Sequence, residues 1–254
     1  MGGRALNYGA AASTHGFLTA SMRVSIVIPA FNEEQSLPDT IRAALAQDYP
    51  DFEVIVVNNA SSDRTAEVAA RFPVKLVHES RKGLLWAREC GRQNASGDLI
   101  ANMDADCLPD PGWISAGAPF FRNPAVVAVS GPYDYHDGGW LFRYLSLWTQ
   151  KTLYWAISRL IQCPGVRQGA MLIGGNNLIR ASALNQAGGY NTSILFYGED
   201  TDTAKRVSAF GRVVFSNRLV MKTSARRFRA EGILRLEGKY IAYFFKTIFG
   251  RRKP

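Results

Sequence analysis

From residue 24 onward, short unbroken apolar runs alternate with stretches whose apolar positions recur every three or four residues. Residues 24–28 (VSIVI) and 52–57 (FEVIVV) are β-branched runs, the first stopped by Pro29 and the second by Asn58 and Asn59, and both read as buried parallel strands. Between them Leu37, Ile41, Ala44 and Leu45 share one face of a helix. A helix over residues 63–71 leads to a third strand at 74–78, and a helix over 84–94 leads to a fourth at 98–103. This βαβαβαβ order predicts a single α/β domain, with a mostly parallel sheet flanked by helices and right-handed crossovers. It also places a ligand site at the carboxyl ends of the strands.

The polar residues that follow each strand are therefore the candidate chemistry. They are Asn32 and Glu33 after the first strand, residues 58–63 after the second, and Asp104 and Asp106 after the fourth. Two carboxylates one residue apart at a strand-to-loop junction can face one space and hold a hard divalent cation that bridges phosphates. A DxD also occurs in ordinary solvated turns; its register with two other polar strand ends favours the ligand reading.

Composition and charge narrow the classes. With 254 residues, 47% hydrophobic and 20% charged, the chain has the makings of one globular core and not of a disordered segment. No unbroken apolar stretch reaches about 18 residues, so a membrane span is not expected. Cys90, Cys107 and Cys163 show no CxxC spacing, which argues against a disulfide framework or a thiolate zinc site and points to a reducing, cytoplasmic compartment. The net charge of +9 is unevenly placed: from Lys205 onward 14 Lys and Arg face only Glu231 and Glu237, a balance of +12. No nucleic-acid-binding module accompanies these bases, so nucleic acid is not an expected partner, whereas an anionic membrane surface or a phosphorylated ligand is. Residues 1–22 read as a mobile leader without the pattern of a secretory signal, 23–216 as the main domain, and 217–254 as a basic amphipathic C-terminal segment.

Six runs carry a resemblance. VSIVIPAFNEE (24–34), EVIVVNNASSDRT (53–65), KGLLWAREC (82–90), GDLIANMDAD (97–106), GGNNLIRASAL (174–184) and GGYNTSILFYGEDTDTAKRV (188–207) resemble, in order, the motifs of family-two glycosyltransferases. Those are inverting enzymes of the GT-A (Rossmann-like) fold. The resemblance implies a nucleoside-diphosphate sugar donor, a divalent cation (Mg or Mn) and transfer to an acceptor hydroxyl. By it, Pro29, Ala30, Asn32 and Glu33 surround the nucleoside, and Arg88 lies beside the nucleotide. Asp104 contacts ribose or metal, and Asp106 ligates the metal that holds the diphosphate. Asp200, in the Glu199-Asp200 pair, is the base that takes the acceptor proton. Asn58 stands where many relatives have Asp to accept the uracil N–H; its carbonyl still accepts, and UDP is favoured over GDP. Gly175 and Asn176 either pass close to the donor sugar or make a tight turn, and Arg226 or Arg227 could reach the diphosphate from a basic loop.

Blander readings of the same residues stand beside these. Glu199, Asp200 and Asp202 suit any helix N-terminus, and Ser61 and Ser62 suit a helix cap. The rival class is a nucleotide-sugar-binding protein without catalysis, for which the Asn58 departure is the hint. Residues 140–161 mix Trp140, Trp148, Trp155, Tyr144 and Tyr154 with Arg143, Lys151 and Arg159, as an interfacial helix does. Residues 233–249 carry an apolar stripe followed by Arg251, Arg252 and Lys253. Either segment also fits an ordinary amphipathic helix packed on the domain. The membrane reading makes the acceptor a lipid-linked or membrane-proximal glycan and the enzyme peripheral on the cytoplasmic face.

Overall fold

The computed structural model describes residues 21–163 and 170–249. Most of the expected leader, and Arg251, Arg252 and Lys253, lie outside the described residues. The first four strands, β1 (Val24–Ala30), β2 (Phe52–Asn58), β3 (Lys75–His78) and β4 (Leu99–Met103), alternate with α1 (Leu37–Leu45), α2 (Thr65–Ala69) and α3 (Leu84–Asn94), as the apolar pattern predicts. After β4 come α4 (Trp113–Gly117), β5 (Val126–Ser130), the short β6 (Tyr133–Tyr135), then α5 (Trp140–Thr149) and α6 (Trp155–Leu160). The chain continues through β7 (Asn176–Arg180), α7 (Ala181–Gln186), α8 (Glu199–Val207), β8 (Arg212–Phe215), β9 (Met221–Thr223), α9 (Arg226–Glu231) and α10 (Ile233–Phe249).

Seven strands form one sheet in the order β3-β2-β1-β4-β7-β5-β8, and β6 pairs with β9 in a second, two-stranded sheet. Only β7 runs against its neighbours β4 and β5; the other pairings are parallel. Alternation along β1 sorts the core onto both faces of the sheet. Ile26 and Ile28 meet Leu37 and Ile41 of α1 with Trp113 of α4 on one side, while Val27 joins Ile55, Ile100 and Leu85 of α3 on the other. Burying each such side chain is worth about 1.5–3 kcal/mol, which fixes the register of the central strands.

Local departures have physical causes. Pro29 does not stop β1, which runs on to Ala30, because β4 pairs only with Val24 to Val27 and leaves that edge free where proline lacks its N–H. The glycine-rich run before Leu178 leads into an antiparallel strand, β7, that the βαβ pattern did not foresee. The helix expected over 140–161 is two α segments joined by a π turn over Gln150–Tyr154. Gln150 causes it: its side-chain carbonyl accepts from the Tyr133 N–H and its amide donates to the Tyr133 carbonyl, drawing the helix onto β6.

Candidate active site

The strand ends converge as the topology requires. Ala30 accepts a hydrogen bond from the Asn59 N–H at 2.8 Å, joining the ends of β1 and β2. Asn32 sits in the left-handed region at φ 55°; its N–H donates to Ser61 and its side-chain carbonyl accepts the Ser62 N–H. Neither Ser61 nor Ser62 caps α2; Asp63, two residues before its first residue, accepts from the Thr65 N–H and hydroxyl. Pro29 and Ala30 are buried strand residues, and Asn32 is engaged in the loop clamp. Among these first-loop residues, Glu33 carries its carboxylate across to the far side of the cleft.

Asn58 is buried at the end of β2. Its amide nitrogen lies 3.3 Å from His78 Nδ1, and its carbonyl oxygen is buried without a partner. That orphan acceptor is what a base N–H requires. Asn59 instead holds the loop before α3, donating to the Glu79 and Arg81 carbonyls and accepting from the Gly83 N–H.

Arg88 is not open to a ligand. Its side chain is 3% exposed and bridges Asp104 and Glu199, each at 3.0 Å. Burial works against the guanidinium charge, yet Asp104 and Glu199 outweigh it and hold Arg88 above its ordinary value. It thus ties the DxD to the Glu199-Asp200 pair rather than neutralising a diphosphate directly. Glu199 and Asp200 open α8 behind Gly198, whose φ of 84° is a left-handed turn that suits glycine, and a Cβ there would lie 2.9 Å from Thr247 of α10. Burial raises the Glu199 carboxyl well above its usual range, with the Asp200 charge adding to the rise, and burial raises Asp200 too. Asp200 accepts from the Thr201 N–H at 2.7 Å.

Asp104 also accepts from the Tyr133 hydroxyl at 3.1 Å. Sequence reading missed Tyr133, since nothing in GPYDY marks it. Gly175 earns its place by close approach: a Cβ would fall 2.3 Å from the Asp104 carboxylate and 2.4 Å from the Tyr133 hydroxyl oxygen. Asn176 does not face the site. Fully buried, it donates to the Gly131, Pro132 and Leu219 carbonyls and accepts from the Trp113 indole, so the expectation that it lies near the sugar is corrected.

Arg226 of α9 pairs with Glu33 and lies 3.2 Å from Asp106 through Nε. Arg227 turns away, stacking at 4.2 Å over Phe196 and donating to the Tyr240 hydroxyl. Burial pushes Asp106 up to about 6; the Asp104 charge adds to the rise and Arg226 only partly offsets it. No group of three or more His, Cys, Asp or Glu poised for a metal occurs among the described residues. The donor chemistry nonetheless fits a hard cation: two adjacent carboxylates whose charge is under-compensated, one of them holding a proton more tightly than usual.

Comparison with known proteins bears on the family and the fold. The sequence profile of Glycosyl transferase family 2 matches residues 25–188. The chain is 26% identical over 215 residues to glycosyltransferase AglE of Haloferax volcanii, covering 81% of this chain and 68% of that protein. It is 33% identical over 118 residues to dolichol-phosphate mannosyltransferase of Pyrococcus furiosus, covering 44% of this chain and 34% of that protein, so it spans about a third of that relative. Among solved structures, mannosyltransferase PcManGT of Pyrobaculum calidifontis, in complex with GDP-Man and Mn2+, superposes with a TM-score of 0.71 at 23% identity, covering 93% of this chain and 67% of that one. Glucosyl-3-phosphoglycerate synthase of Mycobacterium tuberculosis, with Mn2+, UDP-glucose and phosphoglyceric acid, gives 0.60 at 19% identity, covering 92% and 82%. These structural likenesses bear on the fold, which is that of the GT-A enzymes.

Proposed function

The chain belongs to glycosyl transferase family 2, and we propose that it transfers a sugar, with inversion and metal dependence, from a nucleoside-diphosphate donor to the hydroxyl of a lipid-linked or membrane-proximal acceptor. The observation that carries this is the Arg88 bridge, which sets the DxD and the Glu199-Asp200 pair around one cleft. Asp106 and Asp104 would hold the cation, which when bound neutralises charge growing on the leaving diphosphate. Asp200 takes the acceptor proton as the acceptor oxygen bonds to the anomeric carbon and the bond to the diphosphate oxygen breaks. Glu33 and the orphan Asn58 carbonyl line the nucleoside end, where a lone acceptor suits a base N–H such as that of uracil. Arg226, paired with Asp106 at 3.2 Å, would face the diphosphate if a cation took its place on that carboxylate.

The acceptor class rests on relatives named for dolichol-phosphate chemistry. No helix among the described residues is long and apolar enough to cross a membrane. The free thiols Cys90, Cys107 and Cys163 suit the reducing, cytoplasmic side. A panel of UDP- and GDP-sugars with Mn2+ tests the reading. Donor hydrolysis or transfer supports it; donor binding with neither, under any acceptor condition, makes the protein a nucleotide-sugar binder.

A further inference from the structure

The geometry points to the outer face of α5, α6 and α10 as a surface that seats on an anionic lipid bilayer. Trp140 is 80% exposed and Leu234 90%, and Tyr144, Trp148, Leu160 and Phe245 also face solvent. Tyr154 and Ile157 of the first stretch and Phe244 of α10 pack against one small cluster of Ile161, Met171 and Phe215, so the two stretches meet there. Their inner faces are thus covered, and the apolar outer faces are not.

Charge chooses the occupant. Arg143 is paired with Asp134 and Lys239 with Glu231, so the positive charge this face carries rests on Lys151 and Arg159 of residues 140–161, which hold no acid, and on Arg235 and Lys246 of α10 against Glu237. A second copy of this chain docked face to face would set cations against cations. Anionic headgroups complement them, and tryptophan and tyrosine among cations suit the boundary between headgroup and acyl chain. Trp155 already carries Arg159 over its ring at 5.2 Å, an arrangement that keeps the charge at the rim of an apolar side chain.

This face is also wired to the cleft. Gln150, in the π turn between α5 and α6, holds both backbone groups of Tyr133, whose hydroxyl reaches Asp104. On the other side α10 backs the start of α8: Tyr243 stacks on Tyr197 at 5.2 Å, and Lys205 of α8 donates to the Thr247 and Ile248 carbonyls. A bilayer on this surface would therefore lie beside both halves of the site. That it presents a lipid-linked acceptor to Asp200 rests on the function proposed above; the seating itself does not.

The test sediments the full chain with phosphatidylcholine vesicles, with and without phosphatidylserine, at low and high salt. Binding to the anionic vesicles with a blue shift of tryptophan emission is expected. Neutralising Arg159→Gln or Lys246→Gln should weaken it about fivefold each, and Trp140→Ala with Trp148→Ala should remove the blue shift. The thermal shift produced by UDP with Mn2+ serves as the control for fold and site and should not change in these variants. Failure to bind any vesicle, variants that bind like the parent, or a dimer that dissociates on Trp140→Ala with Trp148→Ala would overturn the surface. Vesicle binding without sugar transfer would defeat the proposed function alone, and transfer to a soluble acceptor without vesicle binding would defeat the surface alone.

Discussion

Two arginines bridge carboxylates in the same cleft and differ in one respect. Arg88 is sealed from water between Asp104 and Glu199, whereas Arg226 is 52% exposed between Glu33 and Asp106. A buried guanidinium with two carboxylates cannot leave without stranding charge in a low dielectric, so it acts as frame. An exposed one is stabilised by water on either side of a move, so its carboxylates can exchange it for another cation. The DxD thus has one fixed acid, Asp104, and one exchangeable acid, Asp106.

The largest effect expected is at the frame. Arg88→Met should destabilise the fold by about 3–5 kcal/mol, because Asp104 and Glu199 lose their shared counter-charge. Adding Glu199→Gln should recover part of the loss in urea unfolding. A single variant as stable as the parent would break the distinction between the two arginines.

Next in size is the chemical step. Asp200→Asn should lower kcat by about a hundredfold or more while donor affinity stays close to the parent value, since a base acts in the transition state. Full turnover would move the role to Glu199 or Asp202. Because burial raises Asp200, the acid limb of kcat should lie above the usual aspartate range.

The exchangeable acid predicts a smaller, pH-dependent effect. Asp106 titrates near 6 before a cation binds, and a proton competes with the metal. Mn2+ affinity should therefore be level above that pH and fall about tenfold per unit below it. Asp106→Asn should flatten the profile, read by calorimetry without substrate.

The smallest stability effect belongs to Arg226. Arg226→Ala should cost less in unfolding free energy than Arg88→Met, because its guanidinium is 52% exposed although Glu33 and Asp106 are only 12% and 16% exposed, and urea unfolding of the two variants compares them. Free of competition, Mn2+ should bind more tightly to this variant and donor less so, a split that a purely structural salt bridge would not give.

The first half of the domain was legible because its signals are local. β-branched runs, the helical spacing of Leu37 and Ile41, and polar residues at strand ends each occupy a few consecutive positions, and burial on both faces of a parallel sheet allows little else. The ordered motifs likewise carried the family, and they singled out Asp104, Asp106 and Asp200 as candidates. Asn176 shows where this fails: its motif placed it near the sugar, but its amide is spent on three carbonyls 43 to 45 residues away.

Sequence alone determined the succession of strands and helices in the first half, the polar strand ends, the basic C-terminal region and the aromatic character of residues 140–161. Only tertiary structure decided which arginine is frame and which is exchangeable, because Arg88 meets Glu199 across 111 residues and Arg226 meets Glu33 across 193. The roles of Tyr133 and Gly175 were equally hidden, since each is defined by its approach to Asp104. Periodicity records whether a residue faces the core, but burial and charge pairing at a site depend on which distant segments the fold brings together, and that sum is set by packing.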